Sequence, residues 1–132
     1  MSTLQAPAIG QPWPGQGGIY AGLVRGHDGA PDTHLVVGPE ADNELVWKAA
    51  GDFALSAAVD EHHDFTLPTR AEQAILFGNV PELFKRDWYW SAEKHASVAG
   101  YAWCQTFDDG GQRYRHIYDK LRARAVRRFP AR

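Results

Sequence analysis

"YAWCQTFDDGGQRYRHIY", residues 101–118, spells out a strand, a turn and a second strand without interruption. Tyr101, Trp103, Gln105 and Phe107 alternate with Ala102, Cys104 and Thr106, the period of two that a pleated strand imposes. Asp108, Asp109, Gly110 and Gly111 supply turn chemistry. Alternation then resumes, with Tyr114, His116 and Tyr118 on one side and Arg113, Arg115 and Ile117 on the other. A β-hairpin is predicted, with Cys104 and Ala102 on its packed side.

Working outward, "DWYWSAE" (87–93) and "KLRARAVRRF" (120–129) are rich in strand formers. Upstream, residues 19–25 and "THLVVG" (33–38) flank the turn "HDGAPD" and predict another hairpin. Between the two strand-rich regions lie two helical patterns. In residues 44–60, Glu44, Lys48, Asp52, Ser56 and Asp60 recur every fourth position opposite Trp47, Ala50, Ala54 and Ala58, with Asp42 or Asn43 as N-cap. A shorter helix follows "FTLPT", where Thr69 and Glu72 make a capping box and Gly78 supplies the stop. Strands and helices that segregate in this way predict an α+β fold, two helices packed on a mainly antiparallel sheet.

Residues 1–16, rich in Pro, Gly and Gln, lack periodicity and are expected to form a flexible arm that packs at most through Trp13. Residues 17–129 are expected to form a single domain, and the protein to be a monomer. The chain is 44% hydrophobic with five Trp, enough apolar area to fold against the ordering entropy. No signal peptide and no membrane span are legible, which predicts a soluble protein, cytoplasmic or virion-associated. The net charge of −2 divides unevenly, −7 over residues 1–100 and +5 over residues 101–132.

Each chemical motif has a plainer reading. "PGQGG" (14–18) precedes a strand, whereas a phosphate loop follows a strand and opens a helix. "EHHD" (61–64) lacks the spacing that aims two imidazoles at one ion, and reads as a solvated loop. Cys104 is the only cysteine, which excludes an intramolecular disulfide and multi-cysteine metal sites, and its pairing with His95 or His116 as a nucleophile is outweighed by its place on the packed side. Neither an enzyme nor a metal or cofactor site is expected. The C-terminal arginines offer a nucleic-acid or polyanion grip through Arg113, Arg115, Arg122, Arg124 and Arg128, but the acidic balance argues instead that they pair with the first half of the chain.

The ordered set "DFTLPTRAEQ" (64–73), "WYWSAE" (88–93), "YAWCQTF" (101–107) and "RARAVRR" (122–128) resembles the pattern of the Lcl C-terminal-domain-like family, a domain of unknown function with a C-type-lectin-like fold. The chain is also similar to the variable proteins of bacterial or phage diversity-generating retroelements. The resemblance implies that Leu67, Pro68, Thr69, Glu72, Tyr89, Trp90, Ser91, Ala102, Trp103, Ala125, Val126 and Arg127 are scaffold, with the terminal strands near each other. Ala92 departs from it, standing where the family has a second serine.

Between the scaffold motifs lie Lys94, His95, Thr106, Asp108, Asp109, Arg113, Tyr114, Arg115, His116, Tyr118 and Asp119, the candidate ligand-binding residues. Tyr, Arg and His supply large contact area and adaptable hydrogen bonds at low entropic cost. A non-enzymatic ligand-binding module that recognises a protein or glycan is the expectation. Trp90 and Trp103 are expected to be buried, and Tyr114, Arg115, His116 and Tyr118 exposed.

Overall fold

The structure, a computed structural model, describes residues 5–131. The chain runs β1 (Pro12–Trp13), β2 (Gly18–Val24), β3 (Thr33–Glu40), α1 (Trp47–Ser56), α2 (Arg70–Asn79), a 3-10 turn (Pro81–Leu83), β4 (Trp88–Lys94), β5 (Tyr101–Thr106), β6 (Gln112–His116) and β7 (Arg124–Pro130). The fold is α+β, two helices packed on antiparallel sheets, with the first and last strands in the same sheet.

The strands form two sheets. One has the order β1-β2-β3-β7 and the other β4-β5-β6. The cause is β7, which leaves its sequence neighbour β6 and pairs with β3, Val126 opposite Val37. Arg122 stitches the sheets together, its N–H donating to the Trp88 carbonyl and its carbonyl accepting from the Trp90 N–H. Gly18 must be glycine because a Cβ there would lie 1.9 Å from the Val37 carbonyl oxygen. The last glycine of "PGQGG" therefore serves a close approach of strands. Residues 12–13 of the expected arm form β1, and Trp13 is buried against Tyr20 and Phe129.

Both helix limits in the 44–60 pattern differ from expectation. Leu45 exchanges two backbone hydrogen bonds with Leu121, which holds residue 45 extended, so the N-cap is Val46 without a side-chain cap. At the other end Asp60 and Glu61 take positive φ in the turn between Val59 and His62. The second helix starts as expected: Thr69 accepts from the Glu72 N–H and Glu72 accepts from the Thr69 N–H. It continues through Gly78 to Asn79 and stops ahead of Pro81.

Two large apolar clusters fill the interior. Trp90, fully buried, joins Ala50, Ala54, Phe65, Ala102, Cys104 and Ala125, and its Nε1 donates to the Leu45 carbonyl at 2.8 Å. Tyr89, on the opposite face of β4, packs with Phe84 and Phe107 in the second cluster. Its hydroxyl donates to Glu40, and burial pushes its pKa up.

The charge asymmetry is resolved in the same fold. Arg122 pairs with Asp87, Arg124 with Glu40, Arg127 with Asp64 and Arg128 with Glu72, every acid lying in the first hundred residues. Arg127 is buried, and Glu72 is buried with both oxygens bonded to Arg128, so each charge lost to water finds its counter-charge. "EHHD" is likewise structural. His62 bonds the Gly15 carbonyl, while Asp64 meets Arg127, whose hydrogen bond holds that carboxyl below the usual range.

Candidate recognition surface

The site is built on the face of the β4-β5-β6 sheet against which α2 packs. Gln73, fully buried on α2, donates from Nε2 to the carbonyls of Tyr89 and Trp90. Gln105 on β5 donates to the Gln73 carbonyl at 2.7 Å and accepts from Gln112 on β6 at 2.9 Å. Gln112 in turn donates to the Arg70 carbonyl and accepts from Arg70 Nε at 3.0 Å. This ladder fixes the first residue of α2, and the Arg70 guanidinium lies 3.5 Å from the centroid of the Trp103 ring. A charge-assisted stack of this kind is worth about 0.5–1 kcal/mol at a partly exposed site.

Past Arg70 the same face carries a run of rings. The register sets Trp103 opposite Tyr114 and Tyr101 opposite His116, the closely spaced cross-strand pairs in which aromatic side chains meet. Trp103 and Tyr114 are 5.3 Å apart edge to face, and Tyr101 and His116 likewise 5.3 Å. His95, just after β4, stacks on Trp103 at 5.2 Å and meets Tyr114 at 4.5 Å. Tyr118 leans on His116 at 5.2 Å. Tyr114 is 46% exposed and Tyr118 74%.

The imidazoles also shape the loops. His95 Nδ1 accepts from the Ser97 and Val98 N–H groups at 3.1 and 3.0 Å, and His116 Nδ1 accepts from the Tyr118 N–H at 3.2 Å. An accepting Nδ1 leaves the ring proton on Nε2.

The expected site residues fall into three groups. His95, Tyr114, His116 and Tyr118 come together in the ring cluster. Lys94, Arg113 and Arg115 lie on the other face, Lys94 beside Trp47 at 5.3 Å and Arg115 bonded to Asp119 at 3.4 Å. Thr106, Asp108 and Asp109 form the turn at the far end of the hairpin, about 17 Å along β5 from Tyr101, where Thr106 Oγ1 and Asp109 Oδ1 accept the N–H groups of Asp108 and Gly111.

Trp103, expected as a buried anchor, is corrected to a half-buried member of the ring cluster. It occupies the face of β5 opposite Ala102 and Cys104, where only Arg70, the first residue of α2, lies over it. Tyr101 and Arg70 also belong to the surface and were missed. The alternation of "YAWCQTF" placed Tyr101 and Trp103 together, but no local signal tells where α2 stops covering them.

Cys104 is fully buried, and burial pushes its thiol up to about 11, so it carries no thiolate at neutral pH. Among the described residues no group of three His, Cys, Asp or Glu side chains is arranged to hold a metal ion. Among the described residues no helix is long and apolar enough to cross a membrane. No protein-family model matches the chain, and no curated protein matches it.

Proposed function

We propose that this chain is a non-enzymatic recognition module with a C-type-lectin-like architecture, holding a protein or glycan partner against the aromatic face of β5 and β6. The observation that carries the reading is the contiguous set of His95, Tyr101, Trp103, Tyr114, His116 and Tyr118, in ring contact on one rigid sheet and open to solvent at its outer members. Rigid amphipathic rings give contact area without ordering cost, and the glutamine ladder beneath them preorganises Arg70 at their border.

A polyanion grip has less support. Arg122, Arg124, Arg127 and Arg128 are paired with carboxylates of the body, and separating them from those partners would oppose any gain from phosphate contacts.

The test compares the wild-type chain with a Tyr114→Ala/Tyr118→Ala variant on a glycan array and a displayed peptide library. Ligands bound by the wild type and lost in the variant, which still folds and melts cooperatively, are expected. Ligands bound equally by both, or binding to random single-stranded DNA that falls steeply with salt, would overturn the reading.

A further inference from the structure

The two sheets present four edges, and three are short or partly covered. β1 is two residues long. β7 exchanges two backbone bonds with Thr66 through Val126. The outer side of β4 bonds Arg122 and Pro68. Among the described residues no strand or bridge pairs with the outer side of β6.

The register identifies which groups β6 leaves free. Gly111 accepts from Thr106 and Ile117 donates to Gly100, and the pairing between them has no shift. Residues 111, 113, 115 and 117 therefore bond inward to β5, while Gln112, Tyr114 and His116 direct their backbone groups outward. The Gln112 carbonyl is taken by Arg113 and the His116 carbonyl by the Asp119 N–H. What stays open is the N–H of Gln112 and of His116, and both the N–H and C=O of Tyr114. Three consecutive exposed residues, Arg113, Tyr114 and Arg115, line this edge.

We propose that β6 is a strand-addition site that takes an extended peptide segment, apolar or aromatic at the position beside Tyr114 and acidic at the flanking positions beside Arg113 and Arg115. This rests on the recognition reading above and names its partner. A strand bonded to Tyr114 places alternate side chains on the ring face and on the arginine face. On the arginine face Lys94 stands in the same cross-strand row as Arg115, through Ala102, which adds to the positive potential. Asp119 neutralises Arg115 only through an exposed ion pair, which a partner carboxylate can replace.

A second copy of the chain does not fit. Every antiparallel register that bonds the outward groups of two β6 strands through Tyr114 sets arginine against arginine, either Arg113 on Arg115, Arg113 on Arg113, or Arg115 on Arg115. Like charges directly opposite destabilise a strand pair, and the arginines therefore reject self-pairing while admitting an acidic strand.

The experiment uses the full chain and two capped seven-residue peptides, one alternating glutamate with valine and tyrosine, the other with lysine in place of glutamate. Affinities come from fluorescence anisotropy and contacts from amide hydrogen exchange. The glutamate peptide is expected to bind about tenfold more tightly or better, with the amides of Tyr114 and His116 gaining protection. Arg113→Glu with Arg115→Glu is expected to reverse the preference. Tyr114→Pro, which removes an outward N–H, should bind about fivefold more weakly than Tyr114→Ala, which keeps it. If the proline variant does not fold, the protection pattern of the wild type decides. Equal binding of the two peptides, binding without protection at 114 and 116, or concentration-dependent protection without peptide would each overturn the inference. A glycan that binds the rings and is lost in Tyr114→Ala/Tyr118→Ala, with neither peptide binding, would overturn it and leave the recognition reading standing.

Discussion

Replacing Trp90 and Trp103 separately by alanine should divide the β4-β5 region into scaffold and surface. Trp90 is fully buried in a cluster with Phe65, Ala50, Ala54, Ala102 and Ala125, and the alanines have no side-chain rotamers with which to refill the space. A tryptophan buries about 150–250 Å², and at about 25 cal/mol per Å² its removal forfeits about 4–6 kcal/mol of transfer free energy, of which alanine retains a part. The indole hydrogen bond adds little to this loss, because the Leu45 carbonyl keeps the Leu121 N–H as a partner. A cost of about 3–5 kcal/mol is expected, a fall in melting temperature of about 10–20 °C for a chain of this length. Trp103 forfeits the Arg70 stack, its stack on His95 and its edge contact with Tyr114, about 1.5–4 kcal/mol together. Urea titration and calorimetry of the two variants supply both numbers. A Trp103→Ala cost equal to that of Trp90→Ala would make Trp103 a core anchor and refute the division.

Three further outcomes are expected. Cys104, with its thiol raised by burial to about 11, should resist alkylation in the native protein at neutral pH and react at the rate of global opening, which timed iodoacetamide labelling in increasing urea would measure. Asp64 has its pKa lowered by the Arg127 hydrogen bond, so its contribution is fully present above the ordinary carboxylate value of about 3.9 and is lost as pH falls through the depressed folded value; the melting difference between wild type and Asp64→Asn should be constant near neutrality and shrink only in that acid range. Gln105→Leu removes the hydrogen bonds to the Gln73 carbonyl and to Gln112, and should cost about 1–3 kcal/mol by urea denaturation, a neutral result meaning that the ladder contributes nothing.

The sequence made the local elements legible because their signals are local. Period-two alternation located β5 and β6, and the Thr69–Glu72 pair located the start of α2 to the residue. Signals that depend on distant partners were not readable. Asp42 and Asn43 are good capping residues, but Leu45 is held extended by Leu121, seventy-six positions away in sequence, and the helix starts late. The split into two sheets depends on β7 choosing β3 over β6, which no feature of "RARAVRR" announces. Trp103 was misassigned for the same reason: aromatic content and alternation place a side chain on a face, while the length of the helix covering that face decides whether it is buried.

The basic stretch at the end of the chain separates, in the fold, into two halves with different work. From Arg122 onward each arginine of β7 and its approach, up to Arg128, meets a carboxylate contributed by the acidic body, and two of these pairs, Arg127 with Asp64 and Arg128 with Glu72, tie β7 to the segment that leads into α2 and to α2 itself. Their charge is spent internally, which is why the net charge of residues 101–132 overstates what the surface presents. Before Arg122 the pattern reverses. Arg113 has no carboxylate within ion-pair distance among the described residues, and Arg115 has only the exposed Asp119 four positions on. These two stand on the outer edge of β6, which no strand pairs with among the described residues, alternating with the rings of Tyr114 and His116. A terminal strand devoted to closing the fold needs paired arginines; the proposed strand-addition edge needs arginines that are unpaired or held only by an exposed ion pair, and the boundary between the two falls at Leu121, where the chain turns inward to pair with Leu45.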